Sequence, residues 1–332
     1  MTKLISRGAA ALALAAGICL GATPSAAADV KLTLGHVAPP QTTYQDAAVR
    51  FAENLKTLSG GSMSVDIVPG GALGGLAELW AQTRSNALDL HLIDIGAMIA
   101  MKEARPFLVL FAPYLFKDQA HFHRYVGSEV FGQMMGDVEA QTGVVYLGYV
   151  GDRPPRVVTT RETAVVAPAD LKGLKIRTPQ HPFIIKTFET WGAAATPISA
   201  AELLISLKTG VVDGQDNGVI DFIGAGYAQA NKYFAPIDYI HSGVGIWISP
   251  QRWAAMSEQQ KGWLREAARQ AGEDGRRQHA EQMQAAMAEL PKLGVTVTRP
   301  DLAAFRASVN GMVGAMDGKA WPAGLYSKIG GL

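Results

Sequence analysis

Three arginines stand where this chain could meet an organic anion. Arg177 closes the run Leu174-Lys175-Ile176 and is followed at once by Thr178-Pro179, a pattern that predicts a strand ending at the guanidinium. Arg153 and Arg156 flank Pro154-Pro155 just past a β-rich run over 144–150. A guanidinium offers two parallel N–H groups in one plane, which matches the two oxygens of a carboxylate. Taken alone, each arginine also reads as a solvated surface residue. Asp213-Gly214-Gln215-Asp216-Asn217 has few apolar side chains. It reads either as a solvated turn or as a source of neutral donors and acceptors, Gln215 and Asn217, beside the cations. His36 follows the first predicted strand, and strand ends of α/β sheets line ligand crevices. A loop histidine satisfied by backbone is the alternative there.

Signatures of catalysis are missing. The chain holds no G-x-S-x-G, no H-E-x-x-H and no G-x-G-x-x-G behind a predicted strand. His121 and His123 flank Phe122. Positions i and i+2 diverge on a helix, so a solvated pair is expected rather than a metal site. The single cysteine, Cys19, lies in the N-terminal segment, which leaves the remainder without disulfide, thiolate nucleophile or cysteine-bound metal.

The elements that must position these residues alternate. Predicted strands cover 30–34, 65–68, 88–95, 144–150, 164–166 and 174–177; predicted helices cover 44–58, 76–85 and 183–191. Ser199-Ala200-Ala201-Glu202 reads as a capping box for a helix ending at Gly210, and 257–289 reads as a long helix that Gly272 and Gly275 would bend. Such alternation predicts α/β layers. The 332 residues suggest two lobes at one domain per ~150 residues. With 30 basic and 29 acidic residues and no basic cluster, a nucleic-acid partner is not expected. Lys3 and Arg7 precede a short Ala-rich apolar run, 9–20, followed by small residues through Ala28. This reads as a cleaved secretory signal over 1–28. Its removal would leave a charge of −1.

Two longer segments carry a family likeness. Asp170-Leu171-Lys172-Gly173-Leu174-Lys175-Ile176-Arg177-Thr178-Pro179 resembles the hallmark segment of solute-binding proteins of TRAP (tripartite ATP-independent periplasmic) transporters, the DctP-type family. The stretch from Ala201-Glu202-Leu203-Leu204 through Thr209-Gly210 to Asp213-Gly214-Gln215-Asp216-Asn217 resembles that family's second signature, and Pro69 to Leu73 leading to Leu88-Asp89 is a third likeness. The resemblance implies a two-lobed periplasmic binding protein of the Venus-flytrap kind, with a hinge and several chain crossings. Lobe I would take 29–153 with about 243–283, and lobe II 154–242 with about 284–325. It implies a receptor that captures a small carboxylate ligand (hydroxy acid, sugar acid or dicarboxylate) and delivers it to TRAP permease subunits, with no reaction, cofactor or metal.

By the same resemblance Arg177 clamps the carboxylate, Arg156 or alternatively Arg153 assists, and Asn217 helps to hold it. Asp94 would face ligand hydroxyls or amines, with a helix-cap role as the alternative. Tyr239 would supply an aromatic wall, or else pack in the core; Trp80 and Trp247 are further candidates of that kind. Ala200 and Leu204 depart from the family pattern, where phenylalanine and tyrosine are common, and imply a roomier pocket. The rival readings are a binding protein of an ATP-driven importer and a secreted enzyme using His36 with Asp94.

Overall fold

The computed structural model describes residues 30–100 and 102–332; the expected signal segment, 1–28, lies outside them. Leu32 and Leu34 alternate with Lys31 and Thr33, and this period-2 pattern forms β1 (Val30–Gly35), with both leucines fully buried. The remaining strands are β2 (Met63–Val68), β3 (Leu90–Asp94), β4 (Val145–Thr160), β5 (Lys175–Thr178), β6 (Ala194–Pro197), β7 (Gly214–Gln215), β8 (Tyr233–Ile248) and β9 (Thr296–Val297). They form one sheet in the order β2-β1-β3-β8-β4-β7-β5-β6, with β9 added beside β8. Parallel pairs sit at both ends, and antiparallel pairing of β4 with β3's neighbour β8 joins them. The molecule is thus two α/β lobes that share two 16-residue strands, β4 and β8.

The crossing strand β4 is longer than the sequence suggests. Pro154-Pro155 reads as a break after 144–150, because proline lacks the N–H that a ladder needs. The strand instead runs on through both prolines and absorbs them in a bulge. Arg153 pairs with Ser242 and Arg156 with Ile240, so three steps on β4 oppose two on β8. In a regular strand, residues three apart point to opposite faces. The extra residue cancels that alternation, and both arginines line the same cavity.

One other expectation is corrected. Residues 164–166 form no strand; Thr298 Oγ1 donates to the Val165 carbonyl, which ties this segment to the lobe without a ladder. The helix Glu258–Glu289 is continuous across its glycines. A Cβ at Gly272 would stand 2.4 Å from the Tyr149 carbonyl oxygen, and one at Gly275 3.2 Å from the Gly151 Cα. These glycines allow close approach to β4. With the helix Thr43–Leu58, this helix closes one core over β1, β3 and the adjoining ends of β4 and β8, where Phe51, Leu55, Leu264 and Ala268 are fully buried.

Asp238 on β8 has a φ of 43° and is half-buried. Burial pushes its carboxyl from the ordinary 3.8 up to about 6, with Arg306 opposing. As pH rises from about 4 to about 6, the unfolded chain gives up this proton before the folded chain does, so folding loses stability across that window. Asp238→Asn, which tolerates the left-handed backbone, is expected to gain up to about 2–3 kcal/mol above pH 7. The gain should shrink toward zero as pH approaches 4. Urea unfolding at several pH values measures it, and a gain independent of pH would remove burial of the charge as the cause.

Candidate functional site

A cavity of about 610 Å³ opens between the lobes, within the range of small-molecule sites. One side comes from the loop behind β1 (Val37, Ala38, Pro39, Thr42), from Tyr44, and from Asp94 at the end of β3. The other comes from residues just past β5 and β6 and from Asn217, Asp221 and Tyr227. Strand ends therefore meet strand ends across the gap, which is where open α/β sheets bind ligands. Arg153 and Arg156 on the crossing strand form the floor between them.

The three arginines differ in what they touch. Arg153 donates from Nη1 to Asp94 (3.0 Å) and from Nη2 to Asp221 (2.9 Å) and Asn217 Oδ1 (3.3 Å). It also lies over the Tyr44 ring, 5.1 Å from the centroid, a cation–π contact. Arg156 donates from Nε to the Asp216 carboxylate and from Nη2 to the Asp216 carbonyl, each at 2.7 Å. Arg177 donates only from Nε, to the Ile198 carbonyl at 2.8 Å. Among the described residues no carboxylate lies within ion-pair distance of it. It is 4% exposed, and burial presses its pKa below the ordinary value, with the charge of Asp216 opposing. A buried cation without a counter-ion is costly, and this one lines the cavity.

Asp94, Arg153, Arg156, Arg177 and Asn217 meet at this one cavity. Asp94, expected to face ligand hydroxyls, has its carboxylate taken up by protein donors: Oδ1 accepts from the Gly96 N–H, and Oδ2 from Arg153 and the Ser242 hydroxyl. Asn217 accepts from Arg153 and donates to Gln215. Two expected contacts lie off the cavity wall. His36 is fully buried behind the loop it precedes, with Nε2 bonded to Gln45 Oε1 at 2.9 Å, and burial holds its pKa below the usual 6.5. Tyr239 is fully buried among Phe188 and Trp191, and its hydroxyl donates to Asp216. It supports the Arg156 ion pair instead of walling the ligand space. Trp80 and Trp247 enclose His91 in the core, with Trp247 stacked on it at 5.2 Å.

The histidine pair also differs from expectation. His121 is buried; its Nε2–H donates to the Ile329 carbonyl and its Nδ1 accepts from the Lys117 N–H. His123 bonds Asp152 at 2.6 Å. Among the described residues no group of three or more His, Cys, Asp or Glu is arranged to hold a metal. The Ser199 cap is half the expected box: its hydroxyl accepts from the Glu202 N–H and donates to the Glu202 carboxylate, so that carboxylate does not reach the backbone.

The lining residues outside the expected set include Tyr44, Phe111, Asp221 and Tyr227. Burial raises the Tyr44 and Tyr227 phenols to about 12, against the pull of Arg153 on the first and Arg177 on the second, so both are neutral donors at pH 7. A signal for Tyr44 existed in its place at the start of the predicted helix 44–58, which follows the loop behind the first strand. Asp221 lies one helical turn past Asn217, in the first turn of the short helix Val219–Gly224.

Comparison with known proteins gives a consistent picture. A family model described as bacterial extracellular solute-binding protein, family 7 (DctP) matches residues 34–317. A solute-binding protein of Roseobacter denitrificans is 30% identical over 305 residues, covering 90% of this chain and 92% of that one. The 2,3-diketo-L-gulonate-binding periplasmic protein of Escherichia coli is 27% identical, covering 93% of each. The crystal structure of a TRAP periplasmic solute-binding protein from Roseobacter denitrificans, with bound L-galactonate, superposes with a TM-score of 0.80 at 28% identity. That match covers 87% of this chain and 94% of the other.

Proposed function

The chain belongs to bacterial extracellular solute-binding protein family 7, and from that premise we propose that it captures a small organic acid by its carboxylate and delivers it to a TRAP permease. The observation that carries this reading is Arg177, buried at the cavity wall with its terminal nitrogens unmatched by any protein carboxylate. A ligand carboxylate would supply the missing counter-ion through the bidentate geometry a guanidinium favours. Arg156, whose Nη1 has no partner among the described residues, is the second contact; both terminal nitrogens of Arg153 are bonded, to Asp94, Asp221 and Asn217. The Tyr44 and Tyr227 phenols supply partners for hydroxyls along a hydroxy or sugar acid.

The proposed lobe boundary, at 153 on β4 and 243 on β8, falls where Asp152 pairs with Gly243. Ligand bridging the two sides favours the closed arrangement by its extra affinity for it, and the permease reads that shape. Delivery from the periplasm requires the segment 1–28 to act as a cleaved export signal. Among the described residues no helix is long and apolar enough to cross a membrane. Similarity to a TRAP periplasmic solute-binding protein favours this permease over an ATP-driven importer. The enzyme reading loses its acid–base pair, since His36 is off the cavity wall and Asp94 is saturated by donors.

A thermal-shift screen against organic acids tests the proposal. An acid present at about 100 times its Kd should add about 2.7 kcal/mol of stability. Absence of any shift across a broad set of hydroxy, sugar and dicarboxylic acids would overturn it.

A further inference from the structure

We infer that this cavity accepts one carboxylate and disfavours a second, and that Asp94 and Asp221 set this limit by occupying Arg153. The inference rests on the carboxylate-capture reading and names the ligand class within it. Three arginines at the cavity face three aspartates: Asp94 and Asp221 hold Arg153, and Asp216 holds Arg156. These three aspartates match the three arginines in number, and Glu78 adds a further carboxylate to the lining. Among the described residues, Arg177 is the one arginine of the three without a protein carboxylate within ion-pair distance.

Protein acceptors take three of the five N–H groups of Arg153. Nη1 and Nη2 point to Asp94, Asp221 and Asn217, and Nε is shut away from solvent without a partner. Both aspartates are almost wholly buried and fixed by further bonds: Asp94 by Gly96 and Ser242, Asp221 by the Thr43 N–H (3.0 Å) and hydroxyl (2.9 Å). They cannot swing aside at low cost. A diacid that seats one carboxylate on Arg177 would bring its second toward a wall carrying Asp94 and Asp221, or against apolar residues such as Val37, Ala97 and Ala200. Either placement strips water from a second charge while Arg177 and the open Nη1 of Arg156 are committed to the first carboxylate. A hydroxyl or an apolar end meets no such penalty.

The test is calorimetric titration of matched acid pairs, for example gluconate against glucarate and butyrate against succinate, drawn from a panel that includes the acids active in the thermal screen. The tightest ligand is expected to be a monoacid, binding ~10-fold or more above its diacid counterpart. Asp221→Asn keeps the oxygen that accepts from Thr43 while removing the charge, so it should raise the diacid-to-monoacid affinity ratio ~10-fold. Asp94→Asn should do the same and serves if the first variant melts early. A diacid as the tightest wild-type ligand, or a ratio unmoved in folded variants, would refute the one-carboxylate limit while leaving carboxylate capture standing. Binding of no acid at all would take down both.

Discussion

Replacing Arg177 with alanine is expected to weaken organic-acid binding roughly 30- to 4,000-fold, the ~2–5 kcal/mol that follows loss of one partner of a desolvated charge pair. Arg177→Lys should recover only part of it, because an ammonium lacks the planar pair of donors. The unliganded protein should respond in the opposite sense. Arg177 is 4% exposed and, among the described residues, has no carboxylate partner and makes one hydrogen bond, to the Ile198 carbonyl. Its charge is a burden on the empty fold that only ligand relieves. Arg177→Met, with a stem of similar length and no charge, is therefore expected to melt no lower than wild type without ligand and to show no shift with it. Calorimetric titration and differential scanning calorimetry together decide the matter. Near-native affinity in Arg177→Ala would sink the clamp assignment, and a large loss of stability in Arg177→Met would show that the charge has a partner in the folded protein.

Much of this site was legible because its side chains sit at ends of elements that periodicity reveals. The helix Thr43–Leu58 follows from Ala48, Phe51, Ala52 and Leu55, and β5 from Leu174 to Arg177, so the place of Arg177 beside a crevice could be read directly. What could not be read is which cation stays free. The partners of Arg153 and Arg156 are 59, 68 and 60 residues away, and no local pattern joins them. Asp94 and Asp216 look in sequence like polar groups open to ligand or solvent; the fold consumes both as counter-ions. The same holds for Pro154-Pro155. A break and a bulge share one sequence signature, and only pairing to β8 distinguishes them. Tyr239, within β8, and His36, just past β1, lie off the cavity for a related reason: position along an element does not say which way a side chain turns once neighbours such as Asp216 and Gln45 offer a bond.

Asp216→Ala carries the largest expected cost to stability. Its carboxylate is fully buried, accepts from Arg156 Nε at 2.7 Å, and also takes the Tyr239 hydroxyl. Removing it strands the Arg156 guanidinium, which is itself 3% exposed, and leaves a buried phenol without an acceptor. Breaking a buried pair from one side in this way costs ~3–5 kcal/mol, far more than the intact pair is worth relative to apolar groups. The distinction can be measured. If the loss comes from the orphaned charge, adding Arg156→Met to Asp216→Ala should restore a substantial part of the stability, since the double variant buries no unpaired ion. A double variant that is the sum of two losses would place the effect in packing around Tyr239 instead. Arg156 and Arg177 thus invite opposite responses to charge removal in their surroundings: one cation is stable because the protein supplies its anion, and the other is functional because the protein does not.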